Sequence, residues 1–297
     1  MVDARLYSLI KIVETGSYTK AARQLSLSQP AVSQHIRQLE ELLGVKIFEY
    51  AHNQLSLTAE GELVVKYARR MIALYDNLRQ ALKNEREQVH SLTVGITHTA
   101  ESSMIIEALA AYISNFGDLN MKILTNTTDK LYASLKNYEL DFAFVEGKTN
   151  DPSLGYMMLD TDCLVLAVPP SHRLATRSVV SIGQLQREKL ILRLPNSHTR
   201  DLFEASLESQ GLRLDEFNVT MEIDSIATIK DLICHNFGVS VLAKSACMNE
   251  VKNGKLSVLS VENLSMMREI NIVYQKDFEH QELLHGIVKK YNEIQKR

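Results

Sequence analysis

Hydrophobic residues at the start of the chain recur at helical spacing. A first amphipathic helix is predicted by apolar side chains at i, i+3, i+4 and i+7, namely Leu6, Leu9, Ile10 and Val13. Gly16 ends this helix, because glycine readily adopts the positive φ of a helix C-terminus. Ser17 is then a suitable N-cap for a short second helix built on Ala21, Ala22 and Leu25.

A third helix is predicted over residues 28–44. Ser28 serves as its N-cap, Pro30 lies in the first turn, where its missing N–H does no harm, and Gly44 closes it. The face expected to be buried carries Val32, Ile36, Leu39 and Leu43. Residues 45–58 then contain two short strand-like pieces around a polar tip at residues 51–54, which predicts a β-hairpin wing.

A helix of nearly thirty residues is predicted from about Ala59. One apolar seam runs along it with spacings of 3, 4, 3, 4 and 3, through Val64, Tyr67, Met71, Leu74, Leu78 and Ala81. This heptad pattern predicts packing against a second helix and therefore at least a dimer. Packing on its own globular core is the alternative, but the polar tail at residues 83–90 favours a coiled-coil-like linker.

Beyond residue 90 the pattern changes to alternating strands and helices. Strands at 91–97, 120–126 and 141–147 enclose helices at 101–115 and 130–138, an order that favours a parallel sheet. A second set predicts strands at 162–170, 190–192, 217–223, 238–243 and 268–277, with helices at 202–211, 226–236 and 281–294. Two α/β lobes joined by crossing strands would enclose a cleft.

Composition indicates a globular protein without a membrane span. Hydrophobic residues make up 45% and charged residues 23% of the chain, so wholesale disorder is not expected. The longest apolar run, residues 163–170, is far shorter than the roughly 18 residues of a membrane helix, and no secretion signal is predicted. The three cysteines form no C-x-x-C pair, so neither a disulfide framework nor a zinc site is expected. We therefore expect a cytoplasmic protein without a cofactor.

Charge is unevenly divided along the chain. The net charge is −3, but residues 1–90 hold 12 lysines and arginines against 10 acids, whereas residues 91–297 hold 21 against 26. The imbalance is too small to predict a nucleic-acid partner, so that prediction depends on motif and geometry.

The N-terminal segment resembles the helix-turn-helix of the LysR-type transcriptional regulators. The resemblance is carried by GSYTKAARQLSLSQPAVSQHIRQLEELLGVKIFE at 16–49 and LTAEG at 57–61, and the order of elements follows that family throughout. It implies a winged helix-turn-helix, mainly α, a long linker helix, and a two-lobed α/β effector domain similar to periplasmic binding proteins. The expected boundaries are 1–58, 59–89 and 90–297, with lobe 1 at about 90–161 and 267–297 and lobe 2 at about 162–266.

The resemblance also implies which residues contact double-stranded promoter DNA. In the family the second helix of the turn unit enters the major groove, and its matching positions are Ser28, Gln29, Pro30, Ser33, Gln34 and Arg37. Glutamine pairs with adenine, arginine with guanine, and proline can contact a thymine methyl. Thr19, Lys20 and the wing, including Asn53, are expected to contact phosphates. The alternative is that all of these are solvated residues of an ordinary three-helix core.

The wing and third helix are less basic than is usual in that family. Arginine is common at the positions of Tyr50 and Asn53 and at that of Gln34. We therefore expect fewer ionic phosphate contacts and a shallower salt dependence, by about one unit of slope for each ionic contact that is not made.

An effector site between the lobes is the second expectation from the resemblance. The matching positions are Thr97, His98, Thr99, Thr127, Thr128, Ser197, His198 and Thr199, with Asn196 beside them. Hydroxyls and free N–H groups at helix N-termini favour an anion, such as a carboxylate or a sulfur oxyanion. Arg193 and Arg200 are candidates for added positive charge. For each threonine the alternative is a helix cap without a ligand.

Two other kinds of site are disfavoured. His98 and His198 could hold a metal or respond to pH, but no cysteine or acid stands at suitable spacing. Peroxide-sensing members of the family use a cysteine pair in lobe 2, whereas residues 195–210 contain no cysteine, and Cys234 fits an apolar helical pattern.

Two rival functions are disfavoured as well. An enzyme is not supported, since the chain has no G-x-S-x-G, G-x-x-x-x-G-K-[ST], G-x-G-x-x-G or H-E-x-x-H motif. A transport solute-binding protein would have no use for residues 1–90. The expected function is therefore a bacterial, sequence-specific DNA-binding regulator that responds to a small effector. It would form a homodimer through the linker helix and, from the family, a homotetramer.

Overall fold

The computed structural model describes residues 2–51, 54–87, 90–101, 104–115, 119–278 and 280–296. The chain forms two compact units, one of Met1–Ser91 with Ala133–Leu140 and one of Leu92–Tyr132 with Asp141–Arg297. Among the described residues, no helix combines the length and apolar character that crossing a membrane would require.

The first unit begins with three short helices: α1 (Ala4–Thr15), α2 (Tyr18–Gln24) and α3 (Gln29–Leu43). The predicted N-caps are confirmed, because the side chain of Ser17 accepts from the Lys20 N–H and that of Ser28 from the Ala31 N–H. Gly16 and Gly44 end α1 and α3 with φ of 64° and 67°, a conformation that a residue with a Cβ rarely adopts.

The predicted wing is present. It consists of β1 (Phe48–Ala51) and β2 (Gln54–Leu57), which pair antiparallel with Phe48 opposite Leu57. The long helix α4 (Ala59–Glu87) follows, and the Thr58 hydroxyl caps it by accepting from the Gly61 N–H at 2.8 Å. A Cβ on Gly61 would lie 2.1 Å from the Ile47 carbonyl oxygen, so glycine allows α4 to pass close to the preceding segment.

The core of this unit differs in two places from the predicted stripes. Ile12 is fully buried, whereas Ile10 and Val13 are half-buried, so the inward face of α1 is turned by a fraction of a turn. Leu43 is 48% exposed, contrary to its predicted burial, because it lies in the last turn of α3, past the end of the packed core. Val65 and Ala68 of α4 complete the core.

The second unit alternates strands with helices. Its strands are β3 (His90–Thr97), β4 (Leu119–Asn126), β5 (Phe142–Glu146), β6 (Leu154–Val168), β7 (Val179–Val180), β8 (Leu190–Arg193), β9 (Val219–Ile223), β10 (Ser240–Ala243), β11 (Ser257–Val261) and β12 (Met267–Gln275). The helices after α4 are α5 (His98–Glu101), α6 (Ile105–Ile113), α7 (Thr128–Lys136), α8 (Ile182–Leu185), α9 (His198–Glu208), α10 (Ile226–Cys234), α11 (Lys244–Lys252) and α12 (Gln281–Gln295). All belong to the second unit except the end of α7, which from Ala133 onwards is part of the first.

Strands β6 and β12 cross between two lobes. The main sheet has the order β4-β3-β5-β12-β6-β11-β7, with β10 also paired to β6, and β8 pairs with β9 separately. The parallel prediction is correct for β3 with β5, but β12 is antiparallel to both β5 and β6. Strand β6 begins at Leu154 rather than at the predicted residue 162. Its first half alternates in burial, unlike residues 164–168, which are all buried and gave the continuous apolar run on which the prediction was based.

Candidate nucleic-acid interface and ligand cleft

The side chains predicted to read DNA lie together on one face of α3. Gln29, Pro30, Gln34 and Arg37 are exposed and Ser33 is half-buried. The Gln29 side-chain amide donates to the Ser33 hydroxyl at 2.9 Å, which holds the first turn of this face in a defined arrangement. Ser28 is exposed, but its hydroxyl is engaged in capping α3, so it would contact DNA from that fixed position.

The same face forms a shallow groove that includes two residues absent from the sequence-based set. Its lining is Pro30, Ser33, Gln34, Arg37, Gln38 and Glu41. Gln38 and Glu41 follow Gln34 by four and seven residues, so helical spacing alone could have identified them. Glu41 is acidic, and it makes this surface still less positive than the sequence pattern indicated.

The structure describes some of the residues that were predicted to contact phosphates. Thr19 and Lys20 are exposed at the start of α2, and Tyr50 on the wing is 75% exposed. The predicted contact at Asn53 lies outside the described residues. Half-buried Glu40 holds the segment before the wing by accepting from the Lys46 ammonium and the Ile47 N–H, each at 2.8 Å.

An exposed apolar stripe runs along α4. It consists of Leu63, Tyr67, Met71, Leu74, Leu78 and Leu82, each between 47% and 55% exposed. Four of these belong to the predicted seam, whereas Val64 packs against the core of its own unit. At the two ends of the stripe, Leu63 and Leu82 stand in place of the predicted Val64 and Ala81. The reason is that a straight helix has 3.6 residues per turn, so positions in a strict heptad repeat gradually rotate around its axis.

Seven of the eight predicted effector residues line one cavity in the second unit. The cavity has a volume of about 350 Å³, and its lining includes Thr97, His98, Thr99, Thr127, Thr128, Ser197 and His198. Thr199 lies behind this wall and is only 3% exposed. The side chains come from the ends of β3, β4, β5 and β8 and from the N-termini of the following helices, as expected at strand ends of an α/β fold.

Several of the predicted hydroxyls already have partners. The Thr97 hydroxyl donates to Glu146 Oε1 at 2.7 Å and accepts from the Ala100 N–H at 3.2 Å. The Ser197 hydroxyl caps α9 by accepting from the Arg200 N–H at 3.2 Å. These two side chains therefore act as caps in this structure, and they shape the cavity through the helices that they position.

Arg193 is the most unusual charge at the cavity. Its side chain is 3% exposed, and Nη2 donates to Asp224 Oδ1 at 3.0 Å. Its Nε and Nη1 groups are buried without a hydrogen-bond partner in the part of the chain that the structure describes. Burial lowers the pKa of Arg193, and the nearby Asp224 carboxylate opposes this effect. A buried guanidinium with two unpaired donors is costly and favours an anionic partner.

A buried ion pair joins the crossing strands beside the cavity. Arg268 on β12 donates to Asp162 on β6 at 3.3 Å, and both side chains are at most 5% exposed. Arg268 also donates to the Thr199 hydroxyl at 3.4 Å. Asp162 accepts from the Ser245 hydroxyl at 2.8 Å. Sequence reasoning missed this network, since its members are distant in the chain and no local pattern marks them.

Among the described residues, no group of three or more histidine, cysteine, aspartate or glutamate side chains could hold a metal ion. His98 and His198 therefore do not form a metal centre there. Burial lowers the pKa of His198, while the Glu146 carboxylate acts in the opposite direction. His198 also packs close to Gly147, because a Cβ atom added to Gly147 would lie 3.4 Å from the Cε1 atom of His198. Burial raises the pKa of the Cys247 thiol to about 12, which makes it unreactive.

Both parts of the chain match known protein families. Residues 4–62 match the bacterial regulatory helix-turn-helix protein family of LysR type, and residues 85–289 match the LysR substrate binding domain. The two matches together cover most of the chain and include both units described above.

Individual relatives agree with these matches. The chain is 27% identical over 270 residues to the HTH-type transcriptional regulator CysL of Bacillus subtilis, covering 91% of this chain and 89% of that one. It is 28% identical over 273 residues to a probable RuBisCO transcriptional regulator of Cyanidium caldarium, covering 91% and 86%.

Solved structures share the fold. The LysR family transcriptional regulator CbnR superposes with a TM-score of 0.71 at 18% identity, covering 99% of both chains. A full-length OxyR variant from Pseudomonas aeruginosa superposes with a TM-score of 0.65 at 20% identity, covering 97% of this chain and 96% of that one. CbnR complexed with its target DNA gives a TM-score of 0.70 at 18% identity, with 99% of both chains covered.

Proposed function

Because this chain belongs to the LysR family of DNA-binding transcriptional regulators, we propose that a small ligand with an anionic group binds in its cavity and changes its binding to promoter DNA. Like its relatives, the chain is a regulator rather than an enzyme, with a helix-turn-helix domain and an effector-binding domain. The proposed boundaries of these parts are 1–58, 59–89 and 90–297.

The half-satisfied guanidinium of Arg193 is the observation that carries the ligand proposal. Its ion-pair partner, Asp224, has a side chain that is 62% exposed, so solvent weakens the pair. Arg193 is one of the residues that line the cavity, and Ser197 and His198 at the N-terminus of α9 line it too. Free N–H groups and the helix dipole at a helix N-terminus also favour an anion. An anionic group in this corner would supply the acceptors that Arg193 lacks.

The exposed face of α3 supplies sequence-specific DNA binding in this proposal. Gln29 and Arg37 contact base edges, Pro30 contacts a thymine methyl, and Thr19 and Lys20 contact phosphates. The apolar stripe on α4 pairs two chains, and the two winged domains then bind an interrupted dyad. Assembly to a tetramer follows the family. The protein acts in the bacterial cytoplasm, where promoter DNA is accessible.

Ligand binding is coupled to DNA binding through the crossing strands. The cavity wall contains Thr99, whose hydroxyl lies 3.4 Å from that of Thr199, and Thr199 contacts Arg268 on β12. Closure of the lobes on a ligand would shift this network and alter the arrangement of subunits. A ligand drives such a change only by as much as it binds one arrangement better than the other.

The DNA part of the proposal is tested by a nuclease footprint of the purified protein on DNA upstream of its own gene, over a salt series. We expect a protected, interrupted dyad whose log affinity falls with log salt at a slope toward the low end for this family, since the wing is weakly basic. Absence of protection at low salt, by protein that is folded and oligomeric, would contradict it.

A further inference from the structure

Glu146 is a second buried charge with incomplete pairing at the same cavity. It ends β5, it is 3% exposed, and it lines the cavity wall. In the described part of the chain its carboxylate takes one hydrogen bond, from the Thr97 hydroxyl at 2.7 Å. A neutral hydroxyl does not neutralise a buried carboxylate, and no lysine or arginine forms an ion pair with Glu146 among the described residues. Burying such a charge is costly unless a cation joins it.

The imidazole of His198 does not fill this role at neutral pH. Burial lowers the pKa of His198, so the ring is mostly uncharged at pH 7. Arg268 pairs with Asp162 and contacts Thr199. Arg193 pairs with Asp224, and although the Glu146 carboxylate acts to raise the pKa of Arg193, the two side chains form no ion pair. Among the described residues, the buried carboxylate of Glu146 therefore has no cation in direct contact. At the same cavity, the buried guanidinium of Arg193 has two donors without an acceptor.

The balance of charge around the cavity argues against a simple anion as its ligand. The described lining contains one arginine, Arg193, and four carboxylates, those of Asp129, Glu146, Asp201 and Asp224. The rim carboxylates are exposed and screened by solvent, but Glu146 is buried and screened much less. An ion such as sulfate would gain at Arg193 and lose to repulsion from Glu146.

We propose that the ligand is a small zwitterion, with an anionic group bound by Arg193 and an ammonium group bound by Glu146. This inference rests on the proposed function and assigns the chemical class of its effector. The cavity of about 350 Å³ suits a molecule of amino-acid size better than a polymer. Both charges of such a ligand would pair with buried, preorganised partners, which favours it over molecules that carry either charge alone.

Calorimetric titration of the full chain with matched triplets tests this class. Each triplet is an α-amino acid, the same molecule without its ammonium group, and the same molecule without its carboxylate, as in serine, 3-hydroxypropanoate and ethanolamine. The panel consists of the proteinogenic amino acids, each with both of its analogues. Sulfate, thiosulfate and acetate are further members of the panel, and all titrations are made at constant ionic strength. We expect at least one amino acid to bind, and both of its analogues to bind at least about tenfold more weakly.

Two variants assign the charges of the ligand. Glu146→Gln keeps an acceptor for Thr97 but loses the charge, so the preference over the analogue without an ammonium group should largely disappear. Arg193→Gln should remove the preference over the analogue without a carboxylate. Glu107→Gln, on the exposed side of α6, is the matched control and should bind as the wild type does. Circular dichroism of each variant checks folding, and the wild-type panel is decisive by itself.

The outcomes separate this inference from the proposed function. If sulfate, thiosulfate or a carboxylate without an ammonium group binds most tightly, the zwitterion is excluded while the anion-responsive cavity remains. The zwitterion is likewise excluded if Glu146→Gln leaves the preference unchanged. If no anion and no zwitterion binds the wild type, both proposals fail.

Discussion

The hydroxyl oxygens of Thr99 and Thr199 lie 3.4 Å apart, although one hundred residues separate them in the chain. Thr99 belongs to α5, which follows β3, and Thr199 to α9, which follows β8. Thr199 also contacts Arg268, which pairs with Asp162 on the neighbouring crossing strand. A continuous series of contacts therefore connects the ligand cavity with the strands that join the two lobes.

Replacing Gln29 with alanine should weaken binding to the specific DNA site by roughly 1–3 kcal/mol and relax the preference at one base position. Gln29 is exposed at the N-terminus of α3, and its amide is held by Ser33, so it is preorganised to contact a base edge. Competition binding against sites changed at each position measures this. Gln210→Ala, an exposed glutamine of the second unit, is the control. Equal losses on specific and random DNA would refute the assignment.

Introducing charge into the apolar stripe of α4 should dissociate the dimer. Met71→Glu with Leu78→Glu would place two carboxylates within the proposed helix-helix contact, where burial of a charge is strongly unfavourable. Light scattering at micromolar concentration should show dimers or tetramers for the wild type and monomers for the double variant. Lys66→Glu, at an exposed polar position on the same helix, should keep the wild-type assembly. A monomeric wild type would contradict the account.

Alanine at Gly61 should destabilise the first unit by about 1–3 kcal/mol or more, since its Cβ would lie 2.1 Å from the Ile47 carbonyl oxygen. Gly183 in α8 is the matched control, because a Cβ there meets no atom within 4 Å. Alanine at Gly183 should be neutral or stabilise by up to about 1 kcal/mol through helix propensity. Thermal denaturation monitored by calorimetry tests both substitutions. Equal effects of the two would be inconsistent with the close contact between residue 61 and Ile47.

The stability of the second unit should fall as the pH drops below about 6.5, partly because of His198. Its pKa in the folded protein is below the ordinary value of 6.5, mainly because of burial. The unfolded chain therefore binds the proton first, so stability is fully present above 6.5 and is lost between 6.5 and the lower folded value. Melting temperatures of wild type and His198→Gln from pH 7.5 to 5 measure this. A difference that stays constant over that range would disprove the role of His198.

Local features of the fold were predictable from sequence, because they depend on neighbouring residues. Ser17 and Ser28 cap their helices as predicted, and the glycines that end α1 and α3 have the expected positive φ. Strand β11 and helix α11 were not predicted, since α11 has only a weakly amphipathic sequence and follows β10 directly. The position of β11 depends on its pairing with β6, which a local pattern does not encode.

The candidate sites were predictable to different degrees. The DNA-contacting face of α3 and the cavity-lining threonines were predicted because their positions match those implied by the family resemblance. The burial of Arg193 was not predictable, because it results from packing of β9 and α9 around the end of β8. Glu146 was missed for the same reason, since a single acid at the end of a buried strand has no distinctive local signature.

The most direct test of the central claim is the promoter affinity of the wild type and of Arg193→Gln, measured by fluorescence anisotropy with and without each ligand of the panel at constant ionic strength. Arg187→Gln, which lies outside the cavity lining, is the control. We predict that at least one ligand with an anionic group changes the promoter affinity of wild type and control about fivefold or more, and that Arg193→Gln abolishes this response. A wild type that responds to no ligand, or an Arg193→Gln protein that responds equally, would contradict the claim.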